Sequence, residues 1–164
     1  MTRWLNSALL LTLLAGCQPG VEAPRPGRSG PWELAGRVHA ENDSVVLTLE
    51  LTNRSNRTRE LAVADLPWNS LLRLNLVVVE EGSLKPLRRL FPIRDKFDPS
   101  SIALDPAESV SGTLPLSQHF PDLHRAFESG PVLVFWSYEI RGEDADASER
   151  VEYVLGGVRA GPLS

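Results

Sequence analysis

The chain has 164 residues, a formal net charge of −4 and a hydrophobic fraction of 42%, which together fit one folded domain of ordinary polarity. The acidic balance argues against a dedicated nucleic-acid-binding protein. The only cysteine is Cys17, so an intramolecular disulfide is excluded.

The first seventeen residues have the anatomy of an export signal. Arg3 supplies a positive start, residues 4–14 form a mostly apolar run, and the sequence Leu-Ala-Gly-Cys follows at 14–17 as a small-residue processing site. The apolar run is about eleven residues long, whereas a membrane-spanning helix needs roughly twenty. We therefore expect residues 1–16 to be a signal peptide that is removed.

The four residues Leu14-Ala15-Gly16-Cys17 resemble the bacterial lipobox. The resemblance implies that Cys17 receives a diacylglyceryl group on its sulfur and becomes the acylated first residue of the mature protein. Two or more acyl chains give stable membrane attachment, since each buried CH2 contributes about 0.8 kcal/mol. The alternatives are an ordinary secretory signal with a coincidental cysteine, or a free thiol in a folded domain.

The residue after Cys17 bears on which membrane would hold the lipid. In enterobacterial lipoproteins an aspartate at this position favours retention at the inner membrane, and here the residue is Gln18. The resemblance therefore implies the periplasmic face of the outer membrane in a source with two membranes.

Residues 17–31 combine the lipidated cysteine with a linker that contains four prolines and three glycines. Such a composition predicts a disordered segment with almost nothing to contribute to a core. At about 3 Å per residue, a proline-extended chain would hold the folded domain up to roughly 40 Å from the lipid. The alternative is a disordered tail without a spacing role.

From Trp32 onward the dominant pattern is alternation of apolar and polar residues, which predicts half-buried antiparallel strands. We predict a β-sandwich domain over 32–158 and a C-terminal tail over 159–164. The polar stretch 53–57 predicts a hairpin turn between the second and third strands. The predicted strands are 32–39, 45–52, 58–64, 71–80, 101–104, 110–116, 132–141 and 150–155.

One short crossover helix is predicted at 121–128, and the whole pattern predicts an all-β sandwich of seven or eight strands with Greek-key connections. The strings LTLELTNRS at 47–55, PAES at 106–109 and VFWSY at 134–138 resemble exported immunoglobulin-like domains of bacteria. The resemblance implies an immunoglobulin-like fold and no particular activity. The antibody-type disulfide is absent, and no tyrosine lies within 120–130, so a looser sandwich is expected.

Metal-binding patterns are weak in this sequence. His119, Asp122 and His124 offer ligand atoms, but two positions five apart on a helix diverge by about 140°. The acidic loop at 144–148 begins like a calcium site. However, Glu149 stands where such a loop requires glycine, and Leu155 stands where it requires a bidentate glutamate. We therefore predict no metal and no cofactor.

Catalytic motifs are also missing. The sequence contains no G-x-S-x-G turn and no H-E-x-x-H pair, and it has only one cysteine. We predict no catalytic residues and a protein that is not an enzyme, with a hydrolase as the less favoured alternative. A histidine beside a serine or an acid in a cleft would favour the hydrolase.

The segment 85–97, KPLRRLFPIRDKF, interleaves five cations with apolar residues in an otherwise acidic chain. Its prolines oppose a continuous helix, so we expect an irregular strand or loop. We predict contact with anionic lipid, polysaccharide or an acidic protein face through Arg88, Arg89, Phe91 and Arg94. The alternative is an edge strand whose charges prevent unwanted pairing.

Trp68, in a turn between two strands, is a further candidate contact with a partner. The alternative is that it closes one end of the core.

The predicted function is a lipid-anchored envelope protein that acts as a non-catalytic binding or assembly module. A proteinase-inhibitor-like or chaperone-like accessory protein is the alternative, and exposed, ordered apolar residues on a loop would favour it.

Overall fold

The computed structural model describes residues 30–41, 44–70, 72–91, 98–143 and 149–161, and within them the chain forms eight antiparallel strands and two short helices. In chain order the elements are β1 (Trp32–Glu41), β2 (Ser44–Asn53), β3 (Arg59–Ala62), a 3-10 turn (Val63–Asp65), β4 (Leu74–Glu80), β5 (Ser101–Leu104), β6 (Ser109–Pro115), α1 (Leu116–His119), α2 (Leu123–Ser129), β7 (Val132–Glu143) and β8 (Glu149–Ala160).

The strands form two three-stranded sheets and one small pair. One sheet has the order β1-β2-β6, the other has the order β4-β7-β8, and β3 pairs with β5. Each central strand, β2 or β7, lies between one strand that is next to it in sequence and one that is distant, so each sheet joins parts of the chain that are far apart in sequence. The all-β, sandwich-like fold predicted from the sequence is confirmed.

The core is built from the strand faces that the alternation predicted. On β2, Val45, Leu47, Leu49 and Leu51 are fully buried. The buried face of β7 comprises Val132, Val134, Trp136, Tyr138 and Ile140. Residues from both sheets and both helices belong to one cluster, so the two sheets share a single core.

The predicted hairpin between the second and third strands does not form, because β2 pairs with β1 and β6 while β3 pairs with β5. The predicted third strand also ends early, since residues 63–65 turn into a 3-10 helix. Leu72 falls within the predicted fourth strand, 71–80, but it lies in the turn before β4 and is 98% exposed. Backbone bonds from the amides of Arg73 and Leu74 to Ser70 O form that turn.

Two short helices replace the single helix predicted at 121–128. The additional helix, α1, has only four residues, too few to give a periodic apolar pattern. It is fixed to the core by Leu116 and His119, which are fully buried, and by Ser117 Oγ, which accepts a hydrogen bond from Val45 N at 2.9 Å.

The predicted domain end at 158 is corrected by the last strand, which continues to Ala160. Ala160 is buried, and Arg159 forms a two-bond ion pair with Glu81 at 2.6 and 2.8 Å. The hydrogen bond from Arg159 lowers the pKa of the Glu81 carboxyl. Arg159 and Ala160, which were predicted to belong to the C-terminal tail, are therefore part of the folded domain.

Trp136 of β7 packs where glycine leaves room for its indole ring. A Cβ placed on Gly36 of β1 would lie 2.5 Å from the ring, and a Cβ on Gly156 of β8 would lie equally close. Gly36 belongs to the opposite sheet and Gly156 is the direct partner of Trp136 on the neighbouring strand. The two glycines therefore allow the indole to fill the space between the sheets.

Asn53, at the end of β2, is fully buried and its side chain makes four hydrogen bonds. Its Nδ2 donates to Arg57 O at 2.8 Å and to Leu104 O at 2.9 Å. Its Oδ1 accepts from the backbone and hydroxyl of Ser55 at 2.9 and 2.6 Å. The amide thus joins the turn after β2 to the end of β5.

Tyr138 connects the core of β7 to the 3-10 turn. Its hydroxyl donates a 2.7 Å hydrogen bond to Asp65 O, and Arg73 holds the Asp65 carboxylate at 3.1 Å. Burial raises the pKa of the Tyr138 phenol, the Asp65 charge raises it further, and Arg73 opposes the shift. The folded protein therefore retains the phenolic proton at pH values where the unfolded chain begins to lose it.

We expect Tyr138 to make the fold sensitive to alkaline pH. The protonated Tyr138 hydroxyl stabilises the fold fully at pH values below about 10, the pKa of tyrosine in the unfolded chain. This stabilisation is lost as the pH rises from that value towards the higher pKa of Tyr138 in the folded protein. Tyr138→Phe should cost about 1–2 kcal/mol near neutral pH and flatten the decline above pH 10. Urea unfolding at several pH values measures both effects. Tyr153→Phe, at an exposed position, is the control; an equal decline in wild type and Tyr138→Phe would contradict the assignment.

Candidate functional site

The basic and apolar segment predicted as a contact surface is described over residues 85–91, and its first residues lie along the outer edge of β4. Lys85 O accepts a hydrogen bond from Glu80 N at 3.0 Å, and Leu87 N donates to Val78 O at 2.8 Å. Pro86 forms an isolated bridge with Val79. Residues 85–87 therefore cover the β4 edge and occupy backbone groups of that strand that could otherwise pair with another chain.

Arg89 is the most firmly held residue of this segment. Its guanidinium donates to Leu74 O at 3.1 Å and lies 4.6 Å from the centre of the Phe91 ring. Burial lowers the pKa of the guanidinium, which stays charged at neutral pH because the ordinary value for arginine is so high. Its buried Nε finds no acceptor among the described residues. Arg89 therefore positions Phe91 and reinforces the start of β4.

Leu90, near the end of the described part of the segment, is attached to α1. Leu90 N donates to His119 O at 2.7 Å, and the His119 ring nitrogen Nδ1 lies 3.4 Å from Leu90 O. His119 is fully buried beneath this contact. Residues 85–90 are therefore held at both ends, by β4 and by the helical crossover.

The outward side of the segment combines cationic and apolar groups. Arg88 is exposed, Phe91 is 66% exposed and Leu90 is 42% exposed. Leu84, just before the segment, has a positive φ of 54° and is also largely exposed. An ordered loop with this surface can place a ring and a positive charge against a partner.

Two of the predicted site residues, Cys17 and Arg94, lie outside the described residues. The calcium-like loop at 144–148 also lies outside them. Among the other candidates, the structure brings Arg88, Arg89 and Phe91 together on one loop.

Trp68 lies in a different part of the fold. It is half-buried, packs against the core cluster, and its ring lies so close to Gly112 of β6 that a Cβ there would be 2.2 Å from it. Trp68 thus packs against β6, whereas residues 85–87 lie along β4 of the other sheet. This packing agrees with the alternative that Trp68 closes part of the core.

Ser117 and His124 form a pair that the sequence patterns did not reveal. Ser117 Oγ lies 3.3 Å from His124 Nε2 across the turn between α1 and α2. The same hydroxyl accepts from Val45 N, and His124 is exposed and has no carboxylate partner among the described residues. The pair lacks the third group that orients a catalytic histidine. A seven-residue separation across two helices gives no periodic signal, so sequence reasoning had no means of finding it.

Within the described ranges, no group of three His, Cys, Asp or Glu side chains is placed to hold a metal ion. His119 is buried and His124 is exposed, so the two histidines of the predicted weak cluster occupy different environments. In the same ranges, no helix has the length and apolar character needed to cross a membrane.

The comparisons with protein-family models and with curated proteins give no relative from which to infer an activity. No protein-family model matches the chain, and no curated protein matches it significantly. The fold defines an all-β, sandwich-like protein. Its candidate functional features are the ordered loop after β4 and the N-terminal sequence motif.

Proposed function

We propose that the chain is a lipid-anchored protein of the bacterial cell envelope that acts as a non-catalytic binding or assembly module. The observation that carries the proposal is Leu14-Ala15-Gly16-Cys17 at the end of the apolar run, with the only cysteine of the chain at its last position. The acylated Cys17 would face the periplasm, and Gln18 supports the outer membrane as its location.

Support for a binding role comes from the loop at 84–91. Its backbone is held by β4 and by α1, so Arg88 and Phe91 need little further ordering on binding. A cation beside an exposed aromatic ring suits an acidic protein face, an anionic polysaccharide or a lipid headgroup. Electrostatic attraction of this kind would weaken as salt is added.

The anchor and the loop can be tested in the same cells. Wild-type protein should sediment with envelope membranes, whereas Cys17→Ala should be released to the soluble fraction. Capture of envelope components by detergent-solubilised wild type should be lost in the Arg88→Glu, Phe91→Ala double variant, since both changes affect exposed groups of the loop.

The matched control for the loop is Arg37→Glu, which reverses an exposed charge on β1 of the other sheet. It should capture the same components as wild type. Capture that survives the double variant would remove the loop from the proposed function, and Cys17→Ala remaining in the membrane fraction would remove the anchor.

A proteinase-inhibitor-like or chaperone-like accessory protein is the second candidate. The observation that favours it is the ordered, exposed apolar surface at Leu84, Leu90 and Phe91. Such a protein would present the loop to a client or a proteinase. The assays are inhibition of a proteinase and suppression of client aggregation. Either activity would favour this role if Phe91→Ala abolishes it and Arg37→Glu leaves it unchanged.

A further inference from the structure

Exposed apolar side chains lie at both ends of the loop that covers the β4 edge. Leu84, at the first end, is 67% exposed, and Phe91, at the other, is 66% exposed. Leu90 is 42% exposed, and Leu72, in the turn that leads into β4, is 98% exposed. The core of the domain therefore gains little from these four side chains, and their grouping at one edge indicates a contact outside the domain.

The backbone at Leu84 strengthens this interpretation. Leu84 has a φ of 54°, in the left-handed region that favours glycine or asparagine and costs a leucine free energy. Its amide donates to Glu80 O at 2.8 Å and closes the turn after β4. The turn requires this backbone conformation but not the side chain, which faces solvent. A large apolar side chain at a strained, exposed position points to a functional contact.

The same loop carries three cations that have no carboxylate within ion-pair distance among the described residues: Lys85, Arg88 and Arg89. Residues 84–91 contain no acid, and Glu81 just before them is already paired with Arg159. Elsewhere in the described ranges, several arginines do lie beside a carboxylate, namely Arg54, Arg73, Arg125, Arg141 and Arg159. The positive charge of the loop is therefore complementary to an anionic surface.

The apolar and cationic groups are spread along the edge. The loop lies beside β4 from Glu80, whose amide donates to Lys85 O, to Leu74, whose carbonyl accepts from Arg89. At about 3.4 Å per residue, this part of the strand spans about 20 Å. The anchors of a protein interface cluster in well-packed pockets, whereas a lipid surface has no fixed shape and accepts separated side chains. The spacing therefore favours lipid over a protein partner.

The position at which the chain enters the fold allows the β4 edge to lie on a membrane. A Cβ on Gly30 would lie 3.9 Å from Glu152 Oε2, so the chain enters beside β8. Only β7 separates β8 from β4, which places the two outer strand axes about 10 Å apart. Thirteen residues lead from Cys17 to Gly30 and reach at most about 40 Å. A lipid on Cys17 can therefore enter the same membrane surface that the β4 edge contacts.

We propose that the β4 edge of the domain binds the anionic lipid surface of the membrane that holds Cys17. Lys85 and Arg88 lie against lipid phosphates, and the four exposed apolar side chains enter the headgroup region. This inference rests on the proposed function, in which the loop at 84–91 is the binding surface, and it names lipid as the partner.

The contact adds to the anchor and does not replace it. Each cation near an anionic surface strengthens binding by roughly fivefold, and a partly inserted side chain adds less than a full acyl chain. Binding through the edge alone is therefore reversible. Cys17→Ala is still expected in the soluble fraction, because cell lysis dilutes the lipid.

Sedimentation with lipid vesicles tests the proposal without the anchor. Residues 18–164 contain every described element, and the buried residues of these elements form one core. This part of the chain lacks both the apolar run and Cys17. It should bind vesicles of equal parts phosphatidylglycerol and phosphatidylcholine, and should bind phosphatidylcholine alone much less. Added salt should weaken the binding.

Arg88→Glu should weaken binding to the anionic vesicles by about tenfold or more, because it removes an attraction and adds a repulsion. Arg37→Glu is the matched control. It makes the same change of net charge at an exposed position on β1 of the other sheet, and it should change binding less than about threefold.

The Leu72→Ser, Leu84→Asn double variant should weaken vesicle binding by about fivefold or more, since it removes two inserted side chains. Asparagine suits the positive φ of position 84, so a loss of binding is not explained by unfolding. The control is Tyr153→Thr, Leu155→Thr, which removes two exposed apolar side chains from β8 and should leave binding unchanged.

No binding to anionic vesicles at any lipid concentration would overturn the inference. Binding that both Arg88→Glu and Leu72→Ser, Leu84→Asn leave unchanged would also overturn it, since another part of the domain would then hold the lipid. If vesicle binding fails while capture of envelope components still depends on Arg88 and Phe91, lipid is the wrong partner and the loop keeps its proposed role. Because Cys17 is absent from this protein, the anchoring proposal is tested separately.

Discussion

Replacement of Asn53 by alanine should destabilise the fold by about 3–5 kcal/mol. The variant loses four hydrogen bonds at once and leaves the carbonyl of Leu104 without its buried donor. Each lost bond contributes about 1 kcal/mol, and a buried acceptor without a partner adds about 1–3 kcal/mol. Urea unfolding followed by tryptophan fluorescence measures the loss.

The contrast with Asn56→Ala makes this result specific. Asn56 is exposed in the same turn, so its substitution should change the free energy of unfolding by less than about 0.5 kcal/mol. Asn53→Asp keeps the size of the side chain but places a carboxylate against the carbonyls of Arg57 and Leu104, and it should destabilise at least as much as alanine near neutral pH. A loss below about 1 kcal/mol in both Asn53 variants would show that the turn does not depend on this amide.

Trp136→Ala is the second substitution with a large expected effect, a loss of about 3–5 kcal/mol. Trp136 is 96% buried, and the indole occupies the gap between Gly36 of β1 and β8. Removing it leaves a cavity between the sheets that the rigid strands can only partly close. Urea unfolding, followed by circular dichroism to avoid the changed fluorescence, measures the effect.

A double-mutant cycle between Gly36 and Trp136 tests whether the two positions pack against each other. Gly36→Ala alone should cost about 1–3 kcal/mol, because the new methyl group overlaps the indole ring. In the Trp136→Ala background the same change should cost little or become favourable, since the ring is gone. Gly82→Ala, at a turn with open space around the position, is the control. An unchanged cost of Gly36→Ala in both backgrounds would contradict the proposed packing.

The strand pattern of this chain could be predicted because most strands bury one face and expose the other. Alternation on β2 placed Val45, Leu47, Leu49 and Leu51 on one face, and all four are fully buried. It missed the burial of Val46 and Thr52 on the other face. The predicted fifth strand has the observed bounds Ser101–Leu104. The end of β8 was missed because Gly156 and Gly157 lack side chains that could continue the alternation. Their place in the strand depends on aromatic rings from β7, which are contributed through tertiary packing.

Pairing between strands was harder to predict than the strands themselves. A turn-forming sequence after β2 predicted a local hairpin, but Asn53 instead attaches that turn to Leu104 at the end of β5. A hydrogen bond between residues so far apart in sequence leaves no trace in local composition. The same reason explains why α1 was missed, since its stability comes from burial of Leu116 and His119.

The candidate binding loop was identified in part. Charge and aromatic content in the sequence identified Arg88, Arg89 and Phe91 as candidates. Charge and aromatic content do not show which arginine is held by the fold and which is exposed. In the structure Arg89 is half-buried and bonded to Leu74 O, whereas Arg88 is exposed.

Lipid on Cys17 is the basis of the proposed location, and metabolic labelling tests for it directly. Cells that express the chain are grown with radiolabelled palmitate, and the protein is isolated under denaturing conditions. Label is expected in the wild type and not in Cys17→Ala. Equal labelling of the two proteins, or no label in either, would contradict it.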